Sequence, residues 1–545
     1  MNNLDGKKIE VKELFNRDFF YRIPEYQRPF SWEEDNFIDL IDDLIEAEKE
    51  QEYFLGTLVL HKKDGIFDVV DGQQRLTTLM ILFACLRDII DNIDLKSSIQ
   101  EKIVQKGNKL DGIPERVRIE VKDREIFNKL VVKAEGTEKK LDETSLPEPQ
   151  WRYIRAIGVF REKLSTFSQP ELEKLAMFLS QKCMMIFLST TTFDDAFKLF
   201  TIVNDRGKQL RRIDILKAKN IAPDIIKSES IRNSIAQKWE DWEKTLGENI
   251  FENVMYLIRF IILTDKLHSD LLNEYEERIF KKGLLKKGED FIDTVCKYCK
   301  LYNDIFEDFT FFDDIDDKNK AIGLLYIMND QFSASEWKAP ILSYAYKYGI
   351  ENIFNFIKKI EMKYLEGWVQ GMRKDDRTSI YGDILKEIAN TKNSEILLKS
   401  EKLNYDIDII KKSATEDLYN KGYCKYMLLR LELLTTEHDV EKKYKAKSIE
   451  HVLPQHPLSD SEWKKNFDDD NHKKWINKIA NLVLLSRGKN SSASNLEFSE
   501  KKKKYFSNRI TDYPRSIEIL NVEQWNVDIL EERQKKAISL LTRDI

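Results

Sequence analysis

The chain has 545 residues, which is more than one hydrophobic core usually supports, so two or three domains are expected. A composition of 42% hydrophobic and 34% charged residues is typical of a soluble globular protein. The net charge of −6 conceals an asymmetry, because residues 441–545 carry 21 Lys and Arg against 16 Asp and Glu, a net +5 that leaves −11 for the rest. A mildly basic C-terminal region is compatible with a nucleic-acid partner there.

Three features argue against secretion and membrane insertion. The N-terminal sequence MNNLDGKKIEVKELF is polar, so no signal peptide is expected. The apolar stretch VMYLIRFIILT (254–264) is too short to span a bilayer and contains Arg259. Five cysteines in so long a chain favour a reducing compartment over a disulfide scaffold. We therefore expect a cytoplasmic protein without a membrane partner.

The first 90 residues have an α/β pattern. YFLGTLVLHKKDGIFDVVDG (53–72) contains two β-rich runs separated by Lys-Asp-Gly, which predicts a hairpin. The following QQRLTTLMILFACLRDII has apolar residues at helical spacing, which predicts a helix. Residues from about 100 to 180 are charged and mostly helical in pattern. MMIFLSTTT (184–192) predicts another buried strand, and DDAFKLFTIVNDRGKQLRRIDILKAKNI predicts a helix, a polar turn and a second helix.

The remainder divides into a helical middle and a final segment of different character. Residues from about 230 to 400 show apolar residues at helical spacing with few turn signals. In the final segment, a helix-like LYNKGYCKYMLLRLELL precedes two strand-like runs, SIEHVLP and NLVLLS. The loop RGKNSSASN and a sequence with a helical pattern follow at the end of the chain. This pattern predicts domains at 1–230, 231–400 and 401–545.

The final segment places groups suited to phosphodiester hydrolysis near the two predicted strands. Glu450 and His451 lie at the end of SIEHVLP, and Asn481 and Asn490 lie on the second strand and in its loop. The reaction needs a base for water and a divalent cation to neutralise the phosphate. A neutral imidazole suits the base, whereas carboxylate and amide oxygens suit Mg²⁺. A histidine at a strand end can also be a plain structural feature.

These residues resemble those of a known nuclease family. IEHVLPQ, followed by IANLVLLSRGKNSSASN and then FSEKKKKYF, resembles the HNH (ββα-metal) nuclease domain of the DUF1524 type. The same order of residues resembles the HNH domain of RNA-guided CRISPR nucleases. The resemblance implies that His451 is the general base and that Asn481 braces the hairpin that holds it. It also implies that Glu450 and Asn490 bind the metal, Mg²⁺ or Mn²⁺. Many HNH enzymes have histidine where Asn490 stands, and an amide favours Mg²⁺ over Zn²⁺ or Ni²⁺.

Polar patches interrupt the mainly apolar sequence of the N-terminal part. They are IPEYQRPFSW (23–32), FLG (54–56), DGQQR (71–75) and NDRGKQL (204–210). Asp71 and Gly72 end a strand and start a helix, so Arg75 lies in the first helical turn. Unpaired N–H groups and the positive end of the helix dipole attract anions there. A simpler interpretation, in which Asp71 only caps the helix at a common Asp-Gly turn, stays open.

Together these patches resemble the DUF262 family, the nucleotide-dependent half of GmrSD-type modification-dependent restriction systems. DGQQR also resembles the strand–turn–helix arginine motif of the ParB/sulfiredoxin-like fold, which handles nucleotide phosphates without a P-loop. The chain contains neither GxxxxGK[ST] nor GxGxxG. The resemblance implies a nucleotide site lined by Gln27, Arg28, Asp71, Gly72, Gln74 and Arg75, with Asn204, Arg206 and Lys217 as further phosphate or DNA contacts.

The combined expectation is an α+β multidomain protein with a ParB/sulfiredoxin-like α/β N-terminal domain, a helical middle and a C-terminal HNH nuclease domain. Its expected function is that of an NTP-regulated, modification-dependent (type IV) DNA endonuclease or nickase acting against phage, with NTPase activity in the N-terminal domain. Modified double-stranded phage DNA and an NTP, with GTP as one candidate, are the expected partners, and a homo-oligomer is left open. The alternatives are a non-catalytic, NTP-gated DNA-binding sensor with a vestigial HNH fold, or a phosphotransferase of ParB-like ancestry in the N-terminal half.

Overall fold

The computed structural model describes residues 4–48, 52–142, 146–203, 211–445, 448–485, 495–506 and 513–543. The chain forms two compact units, Met1–Gln237 and Lys238–Ile545. The second unit includes both the helical middle and the C-terminal region that the sequence separates at residue 400. The three-part division stays a prediction.

The first unit is built around a mixed β-sheet. Its strands are β1 (Asp5–Glu10), β2 (Tyr21–Arg22), β3 (Tyr53–Lys63), β4 (Ile66–Asp71), β5 (Val104–Gln105), β6 (Arg116–Val117), β7 (Ile119–Glu120) and β8 (Cys183–Thr190). The main sheet has the order β1-β8-β3-β4-β2-β7, and β5 pairs with β6 separately. β3 pairs antiparallel with β4 and parallel with β8, so the two neighbours of β3 run in opposite directions.

Helices cover this sheet and account for most of the rest of the first unit. They are α1 (Val11–Leu14), α2 (Glu34–Ala47), α3 (Gln73–Ile89), α4 (Ile93–Ile103), α5 (Arg124–Phe127), α6 (Glu148–Leu164), α7 (Gln169–Gln181), α8 (Phe193–Val203) and α9 (Arg212–Asn220). The next helix, α10 (Glu229–Leu246), begins in the first unit and ends in the second. α3 is buried on every side from Leu76 to Leu86. A helix that is apolar all round belongs in the core, and α3 fills the centre of this unit.

The predicted hairpin and helix at 53–90 are confirmed. Asp64 and Gly65 form the turn between β3 and β4 with φ of 52° and 77°, the positive values that a two-residue hairpin turn requires. β4 then ends at Asp71, and Gly72, with φ of 89°, begins α3. A Cβ on Gly72 would lie 3.2 Å from the Thr57 carbonyl oxygen, so glycine allows strand and helix to approach closely.

The stretch from 100 to 180 contains more β-structure than its pattern predicts. α4, α6 and α7 are helical as expected, but β5, β6 and β7 lie between them. Each of these strands has two residues, which is too short for an alternating pattern to appear in the sequence. β7 nevertheless completes the edge of the main sheet by pairing with β2.

The second unit is mainly helical, as predicted. Its helices up to residue 435 are α11 (Glu248–Leu263), α12 (Leu271–Asn273), α13 (Glu289–Tyr302), α14 (Lys318–Gln331), α15 (Lys338–Tyr348), α16 (Ile353–Val369), α17 (Lys374–Asn390), α18 (Ser394–Leu398), α19 (Ile407–Thr415) and α20 (Cys424–Thr435). Single-turn 3-10 or π segments extend or join several of them. Within the described ranges, no helix is long and apolar enough to cross a membrane.

Two strands and several helices follow α20. They are β9 (Ser448–His451), α21 (Glu462–Asn466), α22 (Asp469–Trp475), β10 (Leu482–Leu485), α23 (Phe498–Phe506), α24 (Pro514–Ile517) and α25 (Val527–Leu541). The two strands and the closing helices lie where the sequence predicts them, whereas α21 and α22, which lie between the strands, were not predicted. The mixed α+β class is thus confirmed, whereas the ParB-like and HNH assignments stay predictions.

A buried ion pair joins the helical middle to the C-terminal part of the second unit. The Arg430 guanidinium on α20 donates to the Glu361 carboxylate on α16 at 2.9 Å, and the Tyr426 hydroxyl donates to the same carboxylate at 2.6 Å. Glu361 is fully buried and Arg430 is 2% exposed. A charge in such a place is stable only while its partner remains.

Replacing Glu361 by alanine is therefore expected to lower the free energy of unfolding by about 3–5 kcal/mol, because the Arg430 charge is left buried without its carboxylate. Urea unfolding of the whole protein would measure the loss. Asp383→Ala is the matched control, because Asp383 pairs with Lys386 and Lys402 on the surface and its loss should cost less than about 1 kcal/mol. Equal losses in the two variants would contradict the expectation.

Candidate functional site

A short hairpin positions the C-terminal candidate residues. β9 and β10 pair antiparallel, with Glu450 opposite Val483 and His451 opposite Leu482. All four residues of β10 are buried, and Val483 and Leu485 join a core that includes Trp463 and Trp525. The buried second strand thus supports the end of the first strand, where Glu450 and His451 are buried as well.

Glu450 is held from one side by α23. Lys501 Nζ donates to Glu450 Oε1 at 2.8 Å, and the Tyr505 hydroxyl donates to the same oxygen at 2.8 Å. Glu450 is 3% exposed and Lys501 is 1% exposed. Burial raises the pKa of the Glu450 carboxyl, and the Lys501 ammonium opposes that rise. This carboxylate therefore already has a cation beside it.

His451 has different neighbours from Glu450, because successive side chains of a strand point to opposite faces. The Tyr419 ring lies 4.2 Å from the imidazole, centroid to centroid. Asn477 Oδ1 lies 3.3 Å from His451 Nε2, within hydrogen-bond distance. Burial lowers the pKa of His451 to about 4, so the imidazole is neutral at pH 7. A neutral imidazole can accept a proton from water.

Asn481 connects the hairpin to the turn that follows His451. Its side-chain Oδ1 accepts from the Leu453 N–H at 2.7 Å and from Trp525 Nε1 at 3.2 Å. Its Nδ2 donates to the carbonyls of Leu453 and Ile476 at 3.0 and 2.9 Å. The side chain is fully buried, and it fixes the backbone two residues after the histidine.

Asn490, the other predicted metal ligand, lies outside the described residues. Within the described part of the chain, no cluster of three or more His, Cys, Asp or Glu side chains is arranged to hold a metal ion. Glu450 supplies one hard oxygen donor, and the Lys501 ammonium lies against the same carboxylate. The donor chemistry at this one position fits Mg²⁺ or Mn²⁺.

In the N-terminal unit, the FLG and DGQQR patches meet. An added Cβ on Gly56 would lie 2.5 Å from Arg75 Nη1, so the Arg75 guanidinium lies directly against this glycine. Burial lowers the pKa of Arg75, and Asp71 partly offsets the effect. Burial likewise raises the pKa of Asp71. The third residue of FLG thus makes room for the arginine of DGQQR.

The glutamines predicted to line a nucleotide site bond to backbone groups. Gln27 Nε2 donates to the carbonyls of Val69 and Val70 at 3.0 and 2.9 Å. Gln74 Oε1 accepts from the Ser31 N–H at 2.9 Å, and its Nε2 donates to the Pro29 carbonyl at 3.1 Å. These side chains fasten the 23–32 loop to β4 and α3.

Arg28 faces a small cleft beside that loop. Arg28, Gln73, Gln74, Phe30, Lys122, Asp123 and Tyr153 are among its lining residues. Arg28 Nη2 also donates to Asp214 Oδ2 at 2.9 Å. Burial opposes the ionisation of Asp214, but Arg28 and Arg211 together hold its pKa below the usual value. Asn204 and Arg206 lie outside the described residues, and Lys217 is buried on α9.

Sequence reasoning missed several residues of both sites. In the C-terminal site these are Lys501, Tyr505, Asn477 and Tyr419, and in the N-terminal site Asp214, Lys122, Asp123 and Tyr153. One usable signal was present: in FSEKKKKYF, Phe498, Lys501 and Tyr505 recur at the spacing of one helix face. Asn477 and Tyr419 had no comparable signal, because they reach His451 from other elements.

Two family models match the chain. The GmrSD restriction endonuclease N-terminal domain matches residues 11–221, and the GmrSD restriction endonucleases C-terminal domain matches residues 404–539. The protein is therefore a restriction endonuclease, an enzyme class that cuts DNA. With both domains on one chain, it belongs to the GmrSD family, as the sequence resemblance predicted. No curated protein gave a significant match.

Replacing Asn481 by alanine should leave buried backbone groups of Leu453 and Ile476 without partners. We expect the free energy of unfolding to fall by roughly 2–4 kcal/mol. DNA cleavage should also decrease at least about tenfold, since a small displacement of reacting groups has that effect. Asn466→Ala is the control, because Asn466 is exposed in the same region. Chemical denaturation and a cleavage assay measure the two effects, and wild-type behaviour of Asn481→Ala would contradict the bracing role.

Proposed function

We propose that this protein is an NTP-regulated, modification-dependent DNA endonuclease or nickase that acts against phage DNA in the cytoplasm. The observation that carries the proposal is the environment of His451. Within the GmrSD C-terminal domain, a neutral imidazole is held between Tyr419 and Asn477 at the end of β9. Its neighbour Glu450 is a buried carboxylate with the hard oxygens that suit a divalent cation.

His451 acts as the general base. The imidazole takes a proton from the water molecule that attacks the scissile phosphate, and the contacts of Tyr419 and Asn477 restrict the orientations of the ring. Asn481 holds the following turn, so the base keeps its position at the strand end. Because the ring is already oriented, it does not have to turn to reach the water in the transition state.

Glu450 and Asn490 are the residues that would hold Mg²⁺ or Mn²⁺, as the family resemblance implies. Such an ion, when bound, neutralises charge on the phosphate. Glu450 keeps its carboxylate in one orientation through the donors on α23.

A nucleoside triphosphate is the proposed regulator in the N-terminal domain. Arg75 lies in the first turn of α3, where backbone N–H groups and the helix dipole attract phosphate. Among the described residues, no hydrogen bond ties the Arg75 guanidinium to the protein, so its donors suit an anionic ligand. Gln27 and Gln74 support the proposal indirectly, because they hold the loop that carries Arg28. Regulation by NTP would restrain a nuclease that could otherwise cut host DNA.

His451→Ala should abolish Mg²⁺-dependent cleavage of modified plasmid DNA, with a loss of at least about a hundredfold because general-base catalysis contributes that much. Gel analysis of nicked and linear products measures the effect. His456→Ala serves as the matched control, since His456 is exposed five residues away. Equal cutting by the two variants would contradict the catalytic role of His451. Binding without cleavage across a panel of modified DNAs, with each NTP, would instead favour the non-catalytic sensor.

Gly56→Ala should weaken NTP binding about tenfold or more, because the new methyl group displaces the Arg75 guanidinium and its charge-assisted phosphate contact. Arg75→Ala should have a comparable effect. Gly65→Ala is the control, since Gly65 also has a positive φ, 77° against 107° at Gly56, but a Cβ there meets nothing within 4 Å. Titration calorimetry with ATP and GTP gives the dissociation constants. Unchanged affinity in both Gly56→Ala and Arg75→Ala would show that the nucleotide binds elsewhere.

A further inference from the structure

α23 contains four consecutive lysines, and the first of them, Lys501, is the one that is fully buried. Lys503 and Lys504 are exposed, and Lys502 is half-buried and donates to the Val522 carbonyl. Lys501 is 1% exposed and lies against Glu450. Tyr505, one turn further along the helix, donates to the same Glu450 oxygen. Lys501 and Tyr505, on one face of this basic helix, thus donate to the same oxygen of Glu450.

The Lys501 ammonium has a second acceptor. It donates to the His451 carbonyl at 2.7 Å as well as to Glu450 Oε1 at 2.8 Å. Glu450 and His451 point their side chains to opposite faces of β9, so they cannot contact each other. A single cation therefore fixes the side chain of one residue and the main chain of the next.

Stability alone does not account for such an arrangement. Taking an ammonium and a carboxylate out of water costs free energy that their attraction only partly returns, and apolar replacements of both partners are often as stable. An ammonium and a divalent cation also compete for the same carboxylate, because both are attracted by its charge. The residue that orients Glu450 is thus also the residue that sets how strongly Glu450 can bind a metal.

We propose that Lys501 is a positioning residue of the nuclease site, which holds Glu450 and the His451 backbone in place and limits the affinity of Glu450 for the divalent cation. This inference rests on the proposed function, in which Glu450 is a metal ligand. Lys501 does not contact the substrate. Its ammonium acts through the two residues to which it donates.

Binding of Mn²⁺ to Lys501→Met provides the test, with calorimetry as the readout and cleavage measured alongside. Removing the ammonium should tighten Mn²⁺ binding about tenfold, because the repulsion between two cations at one carboxylate is removed. Cleavage should fall at least about tenfold, since Glu450 and the end of β9 lose their common anchor. Tighter metal binding with slower cleavage supports the proposal. Weaker binding together with slower cleavage indicates a purely structural ion pair and overturns it.

If Lys501→Met does not fold, Lys501→Arg still tests the proposal. The guanidinium keeps the charge but has a different length and shape, so Mn²⁺ affinity should stay within about threefold while cleavage falls about tenfold. Cleavage at the wild-type rate in Lys501→Arg would overturn the positioning role. Lys503→Met removes an exposed lysine of the same helix, and unchanged Mn²⁺ affinity in this control shows that the effect is local.

Glu450→Gln separates this inference from the proposed function. Loss of Mn²⁺ binding in Glu450→Gln with unchanged affinity in Lys501→Met overturns only the role of Lys501. Wild-type Mn²⁺ binding in Glu450→Gln overturns the metal assignment itself and the inference with it. Tyr505→Phe removes a neutral donor from the same oxygen, so its Mn²⁺ affinity should change less than twofold. A change in Tyr505→Phe as large as that in Lys501→Met would overturn the electrostatic explanation.

Discussion

A carboxylate removed from water must have a cation or hydrogen-bond donors beside it, and this requirement organises the C-terminal unit. Glu450 obtains both from α23, through Lys501 and Tyr505. Glu361 obtains them from α20, which directly precedes the hairpin region. Loss of either cation leaves a buried carboxylate uncompensated, so each ion pair holds its helix against the element that carries the carboxylate.

In the N-terminal unit, glycines and glutamines hold the candidate residues in place. Gly56 leaves space for the Arg75 guanidinium, and Gly72 lets α3 begin close to β3. Gln27 and Gln74 donate to backbone carbonyls of β4 and of the 23–32 loop. The loop that carries Arg28 is therefore held by side-chain-to-backbone bonds, which keep a segment without regular secondary structure in one conformation.

Local features of the fold were predictable, because neighbouring residues encode them. The Lys-Asp-Gly turn and the helical period of 73–89 are visible in the sequence, and β3, β4 and α3 follow from them. The partner of Glu450 is separated from it by 51 residues, and a run of four lysines does not show by itself which one is buried. The backbone contacts of Gln27 and Gln74 could not be predicted from the sequence either. A glutamine in a motif gives no sign of whether its side chain binds a ligand or a backbone carbonyl.

The arrangement of Glu450 and His451 shows how the imidazole of an acid–histidine dipeptide on a strand is oriented. Two successive residues cannot share a face, so the acid does not orient the imidazole by direct contact. Orientation comes instead from separate elements: Asn477 and Tyr419 contact the ring, and Lys501 joins the acid to the histidine backbone. Because each anchor comes from a different part of the chain, the site depends on the packing of α23 and of the segments that carry Tyr419 and Asn477. The geometry around the dipeptide therefore depends on the folding of each of these parts of the chain.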